Sequence, residues 1–398
     1  MRTTTLFLLL LIIWSCTPIP KSIGDSSITV FQDTNLYFDM SLKEDSLKFS
    51  QDIIRLDAGR VLLKKVKLPT YELQPKVTIR TELTSNGDPW DKSGSLFVIP
   101  ADAGWNLLDI EQGVLKKNQF QDSFPGIRSI KLEDKEYLPN VELMRFMTPF
   151  GIGHYNDDER VQALKPVYIP KWEDQVIWEQ DITHLLDLLE GEIYIGVFID
   201  TWTKQGYNIT VNIEFEESMI PNHIKDNKGV MPLVNTTKYS AEQGYYDEFS
   251  RNNLRVELPL DSELNNAQLH YITTGHGGHE DGDEFTKKVN IITHNEDKIL
   301  QIVPWRDDCA SFRRFNPTSG VWTEKTTWKD QEIEERIASS DYSRSNWCPG
   351  SDVDPLVIDL GDLEAGIHQF EISIPEAQEI DGDKINYWMV SAYIVYDK

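Results

Sequence analysis

The stretch Thr273 to Phe285, TTGHGGHEDGDEF, sets four glycines, two histidines and four carboxylates directly behind the apolar run QLHYI. Gly275, Gly277, Gly278 and Gly282 permit backbone conformations and close approaches closed to other residues. His276, His279, Asp281, Asp283 and Glu284 offer acid, base or metal-ligand chemistry. Three further clusters join an aromatic to a charge. NGDPWDKSG (86–94) holds Trp90, Asp91 and Lys92, and IDTWTKQG (199–206) ends a strand-like run in Asp200 and Trp202. PWRDDCASFRRFNP (304–317) and DYSRSNWCPG (341–350) hold Trp305, Cys309, Arg344, Trp347 and Cys348. Indole faces stack on the CH faces of sugars while carboxylates and guanidinium groups take forked hydroxyl contacts, so these clusters point to a carbohydrate surface. Asp91, Asp200 and Glu284 all fall at strand ends or in loops, where carboxylates in one cleft could divide water activation and leaving-group protonation.

Other chemistries find little support. There is no GxSxG elbow, no HExxH and no cysteine-rich metal site. His276 and His279 could join His270 or His294 around a metal, but no metal is expected. With 39 Lys plus Arg against 65 Asp plus Glu, the net charge of −26 repels phosphate backbones, which argues against nucleic acid as a partner.

Arg2 and the apolar run Leu6 to Ile13 read as an export signal, too short to span a bilayer. The run ends at IWSC and resembles a bacterial lipobox, so residues 1–16 are expected to be a lipoprotein signal with Cys16 the lipidated residue. The protein would then be exported and tethered to the bacterial outer membrane, or periplasmic or extracellular. In that oxidising setting Cys309 and Cys348 form the one remaining pair, and a disulfide is expected. Closing a loop of about forty residues is worth on the order of 3 to 4 kcal/mol by loop entropy.

Positioning these residues falls to β-strands. Period-two alternation recurs at 77–83, 95–100, 192–202, 207–215, 289–293, 368–375 and 385–396. One short connecting helix is expected over 181–191, capped by Asp181. Strands in this number without intervening helices form antiparallel sandwiches or jelly rolls. Alternation fails at 216–232, so the expected organisation is one domain over 27–216, a linker at 217–232 and a second domain over 233–398. Residues 150–166 are expected to be an exposed insertion.

Taken together, WCPG preceded by Arg344, the upstream Cys309, Asp88 to Asp91, DTW at Asp200 to Trp202, TPFGIG at Thr148 to Gly153 and the Gly/His loop ending in Glu284 resemble the peptide:N-glycanase F family. The resemblance runs from about residue 50 to the C-terminus. It implies an all-β fold of two eight-stranded antiparallel jelly rolls side by side, with an active site between them. It also implies a metal-free, cofactor-free amidase that cleaves the bond between asparagine and the innermost N-acetylglucosamine of N-glycosylated proteins or peptides. By resemblance, Asp91, Glu284 and Asp200 are the catalytic acids, and Trp90, Lys92, Trp202, Arg344 and Trp347 line the substrate cleft. Cys309 and Cys348 match a family disulfide, and a monomer is expected.

The chain departs from the family at Asp200, one methylene short of a glutamate, at Lys92 in place of an arginine, and at His276 near the place of a cleft tryptophan. Two family disulfides are missing. Lysine cannot fork to a hydroxyl pair, so tolerance of a core-fucosylated glycan is one expected consequence, with His276 and His279 as candidate sugar contacts. Two other classes fit parts of the pattern: a copper monooxygenase on the same two-jelly-roll architecture, and a non-catalytic glycan-binding surface lipoprotein.

Overall fold

A computed structural model of the chain describes residues 22–42, 52–120, 126–132, 134–217, 225–243, 248–279 and 281–398. The expected signal and lipidation site, Cys16 included, lie outside the described residues. The fold is two antiparallel jelly-roll sandwiches. In the first, a four-stranded sheet runs in the order Ser26–Leu36, Tyr207–Glu217, Pro75–Ser85, Val176–Asp181. It faces a six-stranded sheet in the order Asp352–Val353, Val141–Met147, Ser93–Ile99, Gly191–Ile199, Val61–Leu68, Ile54–Leu56. The second sandwich is a sheet of Lys228–Asn235, Tyr387–Asp397, Leu264–His276 and Leu356–Leu363 over one of Leu254–Leu260, Gly366–Ser373, Asn290–His294 and Asp297–Ile302.

The burial patterns show which sheet is enclosed. Pro75–Ser85 alternates, with Val77, Ile79, Thr81 and Leu83 inward, and Tyr207–Glu217 pairs with it in register, Ile209 opposite Leu83 and Ile213 opposite Ile79. Each such buried aliphatic side chain contributes roughly 1.5–3 kcal/mol over an exposed one. Ser93–Ile99 and Val141–Met147 are instead buried at every position. A strand covered on both faces loses its alternation, and here the second cover is the other sandwich. Val141–Met147 lies against Lys228–Asn235 and Tyr387–Asp397. At this seam the buried Arg145 is held by both oxygens of Glu142 and reaches across to Thr274 Oγ1 (3.1 Å) and the Met389 carbonyl.

Three expectations are corrected. The expected helix over 181–191 is a 3-10 stretch, Thr183–Leu188, whose entry is held by Asp181 accepting from the Thr183 N–H and hydroxyl. The expected linker is shorter at its C-terminal side, because the strand Lys228–Asn235 begins within it and pairs with Tyr387–Asp397. The segment 150–166 is exposed only in part: Phe150 and Ile152 are core residues, while the short helix Glu159–Ala163 sits outside on Val161. The disulfide is present, Cys309 to Cys348, 39 residues apart. Just beyond it, Asp352–Val353 crosses to the edge of the first sandwich, pairing with Phe146 and Arg145.

Candidate active site

Register alone brings two of the acids together. Phe198 pairs with Ser95 and Ile199 with Gly94, so Asp91, before one strand, and Asp200, after its antiparallel neighbour, lie at the same sheet end. Between them Asp88 acts as a clamp. Its buried carboxylate accepts from the Trp90 N–H (3.0 Å), Thr201 Oγ1 (2.7 Å) and Thr203 Oγ1 (3.2 Å), fastening the NGDPWD turn to the DTWT loop. Asp91 is held between two pinned neighbours. The Tyr207 hydroxyl donates to the Trp90 carbonyl, and the Lys92 N–H and carbonyl bond Thr148 Oγ1 and the Thr148 N–H, both at 2.8 Å.

The second sandwich contributes the Gly/His loop by the same logic. His276 pairs with Tyr387 at one end of its sheet, and the chain then doubles back. Gly277 has φ +149°, and a Cβ at Gly282 would lie 1.9 Å from the Gly277 carbonyl, so glycine is required where the loop closes on itself. Asp283 is buried and accepts from Trp388 Nε1 (3.0 Å) and the Gln378 N–H, anchoring the turn. Glu284 is thereby returned toward the cleft, with Oε2 3.5 Å from the Cβ position of Gly278.

Arg344 joins the two halves. Its Nε donates to Glu284 Oε1 at 2.7 Å, and its Nη2 stands 3.6 Å from Asp91 Oδ2. The remaining donors go to the Ser339 and Tyr342 carbonyls, both at 3.0 Å, and the guanidinium lies over the rings of Trp347 and Phe285 at 4.8 and 5.1 Å. A buried guanidinium satisfied in this way is rigid, and it fixes one carboxylate from each sandwich around it.

At the other end of the cleft, Arg60 forms an ion pair with Asp57 Oδ2 (2.6 Å), donates to Asp200 Oδ1 (3.0 Å) and stacks under Trp202 at 4.5 Å. Lys238 stands 3.8 Å from Asp57. The cavity enclosed is about 300 Å³ and is lined by Asp91, Lys92, Asp200, Trp202, His276, Glu284 and Trp347, with Arg60, Lys238 and Tyr387 added by the fold. Trp202, 45 % exposed, lines the cavity as expected, whereas Trp90, 57 % exposed, stands outside its lining.

The electrostatics follow from burial. Asp91 is held above the ordinary carboxylate range by burial, opposed by Arg344 and Lys92. Glu284 is pushed up to about 7, again by burial, with Arg344 pulling it down and Asp91 pushing it up. Burial raises Asp200 too, against Arg60 and Lys92. Two carboxyls beside one cation titrate as a pair. Because the fold prefers the protonated Glu284, its contribution to stability is full below the ordinary pKa of 4.5 and is lost as pH rises through about 7. Glu284→Gln fixes the neutral form and keeps an oxygen for Arg344. It is expected to melt a few degrees above the parent at about pH 8.5, the gap closing below about pH 5. Melting curves at both pH values check this, and an equal gap at both would refute it.

The histidines take roles other than those expected. His276 lies on the cleft wall but is stacked between Trp347 (5.5 Å) and Tyr387 (4.8 Å), with Nε2 bonded to Thr274 Oγ1 at 2.8 Å. Burial holds its pKa well below the ordinary value, which favours a neutral imidazole on the cleft wall. His279 does not line the cleft; its Nε2 bonds Asn386 Oδ1 at 3.0 Å. His270 stacks on His184 and His294 on His368, so neither joins them. Among the described residues, no group of three or more His, Cys, Asp or Glu converges on one point as metal ligands.

Arg60 and Tyr387 escaped sequence reasoning. The one local signal for Arg60 is the turn before it, where Asp57, Ala58 and Gly59 all have positive φ and set the side chain inward. Tyr387 belongs to a strand whose every other residue also reads as core.

Comparison with known proteins agrees with this architecture. Residues 27–215 match the family model described as Peptide-N-glycosidase F, N terminal, and residues 244–395 match Peptide-N-glycosidase F, C terminal. Among solved structures, PNGF-II in a P21 crystal form is 35 % identical with a TM-score of 0.78, covering 94 % of this chain and 66 % of that one. The chain thus spans just under two thirds of that protein's length. Recombinant peptide: N-glycanase F is 15 % identical with a TM-score of 0.60, covering 94 % of this chain and 96 % of that one. PNGase F from Flavobacterium meningosepticum, titled a glycosylasparaginase, is 15 % identical with a TM-score of 0.57 and the same coverage. The last two share the fold. No match was found among curated proteins.

Proposed function

Because this chain belongs to the peptide-N-glycosidase F family, we propose that it is a deglycosylating amidase. It cleaves the amide between asparagine and the innermost N-acetylglucosamine of N-glycosylated proteins or peptides, releasing the glycan and leaving aspartate. The observation that carries this reading is the buried Arg344, flanked by Asp91 from one sandwich and Glu284 from the other at the wall of an aromatic-rimmed cleft.

The chemistry follows from that placement. Asp91, its pKa raised by burial, takes a proton from the water that attacks the amide carbonyl, and that proton passes to the glycosylamine nitrogen as the C–N bond breaks. Glu284, its pKa pushed up to about 7 by burial, orients that water or the reducing-end sugar. Lys92, on the cavity wall, stabilises the charge that develops on the carbonyl oxygen, while Arg344 acts from behind through Asp91 and Glu284. Asp200, held by Arg60, accepts from sugar hydroxyls beside the exposed Trp202 ring. The aspartate left behind is a new carboxylate on the peptide, expelled from a site that already holds three. We further propose that the protein is exported and tethered through a lipid on Cys16.

The test is the product. A denatured N-glycoprotein treated in ¹⁸O-labelled water is expected to yield peptides with labelled aspartate at the former glycosylation site. A peptide that keeps asparagine with one sugar attached would place the cut at a glycosidic bond and refute the amidase reading. Retained glycan binding with no product would favour a binding protein.

A further inference from the structure

One structural element of the second half takes no part in either sandwich. Strands Val321–Trp328 and Gln331–Ala338 form an isolated two-stranded hairpin, turning through Lys329 and Asp330, both at positive φ. Its root is fastened to both halves of the site. Thr318 donates to the Pro89 carbonyl immediately before Trp90 and Asp91, and the Ser339 carbonyl accepts from Arg344. The hairpin therefore rises directly behind the residues that hold Asp91 and Glu284.

Its register sorts the side chains into two unlike faces. Trp322 pairs with Ile337, Glu324 with Glu335, Thr326 with Ile333 and Trp328 with Gln331, and cross-strand partners share a face. One face therefore carries both tryptophans and both isoleucines. Lys325 and Arg336 fall on the other. Trp322 is 43 % exposed and Trp328 60 % exposed. The tryptophan face continues toward the site: Trp322 meets Tyr342 at 4.5 Å and Phe285, the neighbour of Glu284, at 6.2 Å. From Trp322 to Trp328 the strand covers about 20 Å at roughly 3.3 Å per residue.

We propose that this face is an extended subsite for the distal, neutral hexose arm of the substrate's own N-glycan, a reading that rests on the amidase function proposed above. Exposed indoles give flat stacking surfaces for sugar CH faces. Glu324 and Glu335, directly opposed at a cost in repulsion, supply hydroxyl acceptors and disfavour a sialylated or otherwise anionic arm. Continuity with the wall that holds Arg344 selects the released glycan's outer part as the occupant.

The test compares binding of free chitobiose with binding of an oligomannose glycan ending in chitobiose, by calorimetry on the Asp91→Asn protein. Trp328→Ala, at the hairpin tip, is expected to lower the affinity ratio of oligomannose over chitobiose about tenfold. Lys325→Ala, on the opposite face, should leave the ratio as it was. An unchanged ratio in Trp328→Ala overturns the proposal, as does an effect on glycopeptide binding that follows peptide length rather than glycan length. If the parent protein converts no asparagine to aspartate, the amidase reading falls, while the ratio still decides the hairpin.

Discussion

Asp91→Asn is expected to lower the rate of asparagine-to-aspartate conversion about 10³-fold, the range of a lost general base, while the protein folds and melts no lower than the parent. The amide fills the same space and leaves intact the bonds that shape the turn, which belong to Asp88, the Trp90 carbonyl and the Lys92 backbone. What it removes is the proton acceptor and a charge the site itself disfavours, since burial raises the pKa of Asp91. Stability and activity should therefore separate: lost turnover without lost structure. Mass analysis of glycopeptides under single-turnover conditions, beside a melting curve, reads both. Activity above a tenth of the parent's would remove Asp91 from the role of base. Partial recovery in Asp91→Glu would support a positional rather than a purely electrostatic requirement.

Arg344→Met should be the most damaging single change at the site, because it acts on both acids and on the fold. The guanidinium is almost fully buried and donates to Glu284, the Ser339 carbonyl and the Tyr342 carbonyl while facing Asp91. Breaking a buried pair by removing one partner costs about 3–5 kcal/mol, and activity should fall about 10²- to 10³-fold with the lost charge stabilisation. The sign of the pH effect is fixed. Arg344 lowers the pKa of both Asp91 and Glu284, so its loss raises both, and the acid limb of the rate profile moves to higher pH. Arg344→Lys should fall between, keeping the charge and losing the fork. A parental pH profile in Arg344→Met would show that the arginine is structural and does not govern the acids.

The sequence made the strands legible because half-buried antiparallel strands must alternate, and runs such as 77–83 and 207–215 do so plainly. It placed one helix where the chain makes a 3-10 turn, since a short apolar run reads alike for both. It left the hairpin 321–338 unnoticed, because a hairpin that packs on little carries few apolar residues to reveal it. The start of strand Lys228–Asn235 is hidden in the sequence because Gly229 and Pro232 read as breakers. Both sit in that strand, and a register shift just after Pro232 accommodates the proline.

Within the site, identity and position were determined by different things. The chain alone fixes which side chains carry charge and stacking surface, and the order of Trp90-Asp91, Asp200-Trp202, Glu284, Arg344 and the two cysteines was enough to find the family. Whether those residues meet is not written locally. Asp91 and Asp200 converge because their strands are antiparallel neighbours in one register, and Glu284 joins them because two sandwiches bury one sheet face against another. Only that packing could tell His276, stacked with Trp347 and Tyr387 on the cleft wall, from His279, bonded to Asn386 outside it, though both stand in the same Gly-rich loop. Burial is a property of the whole fold, and so is the upward shift it gives the pKa of both Asp91 and Glu284. Sequence names the groups, and the low-dielectric seam where the two sandwiches meet sets their charge.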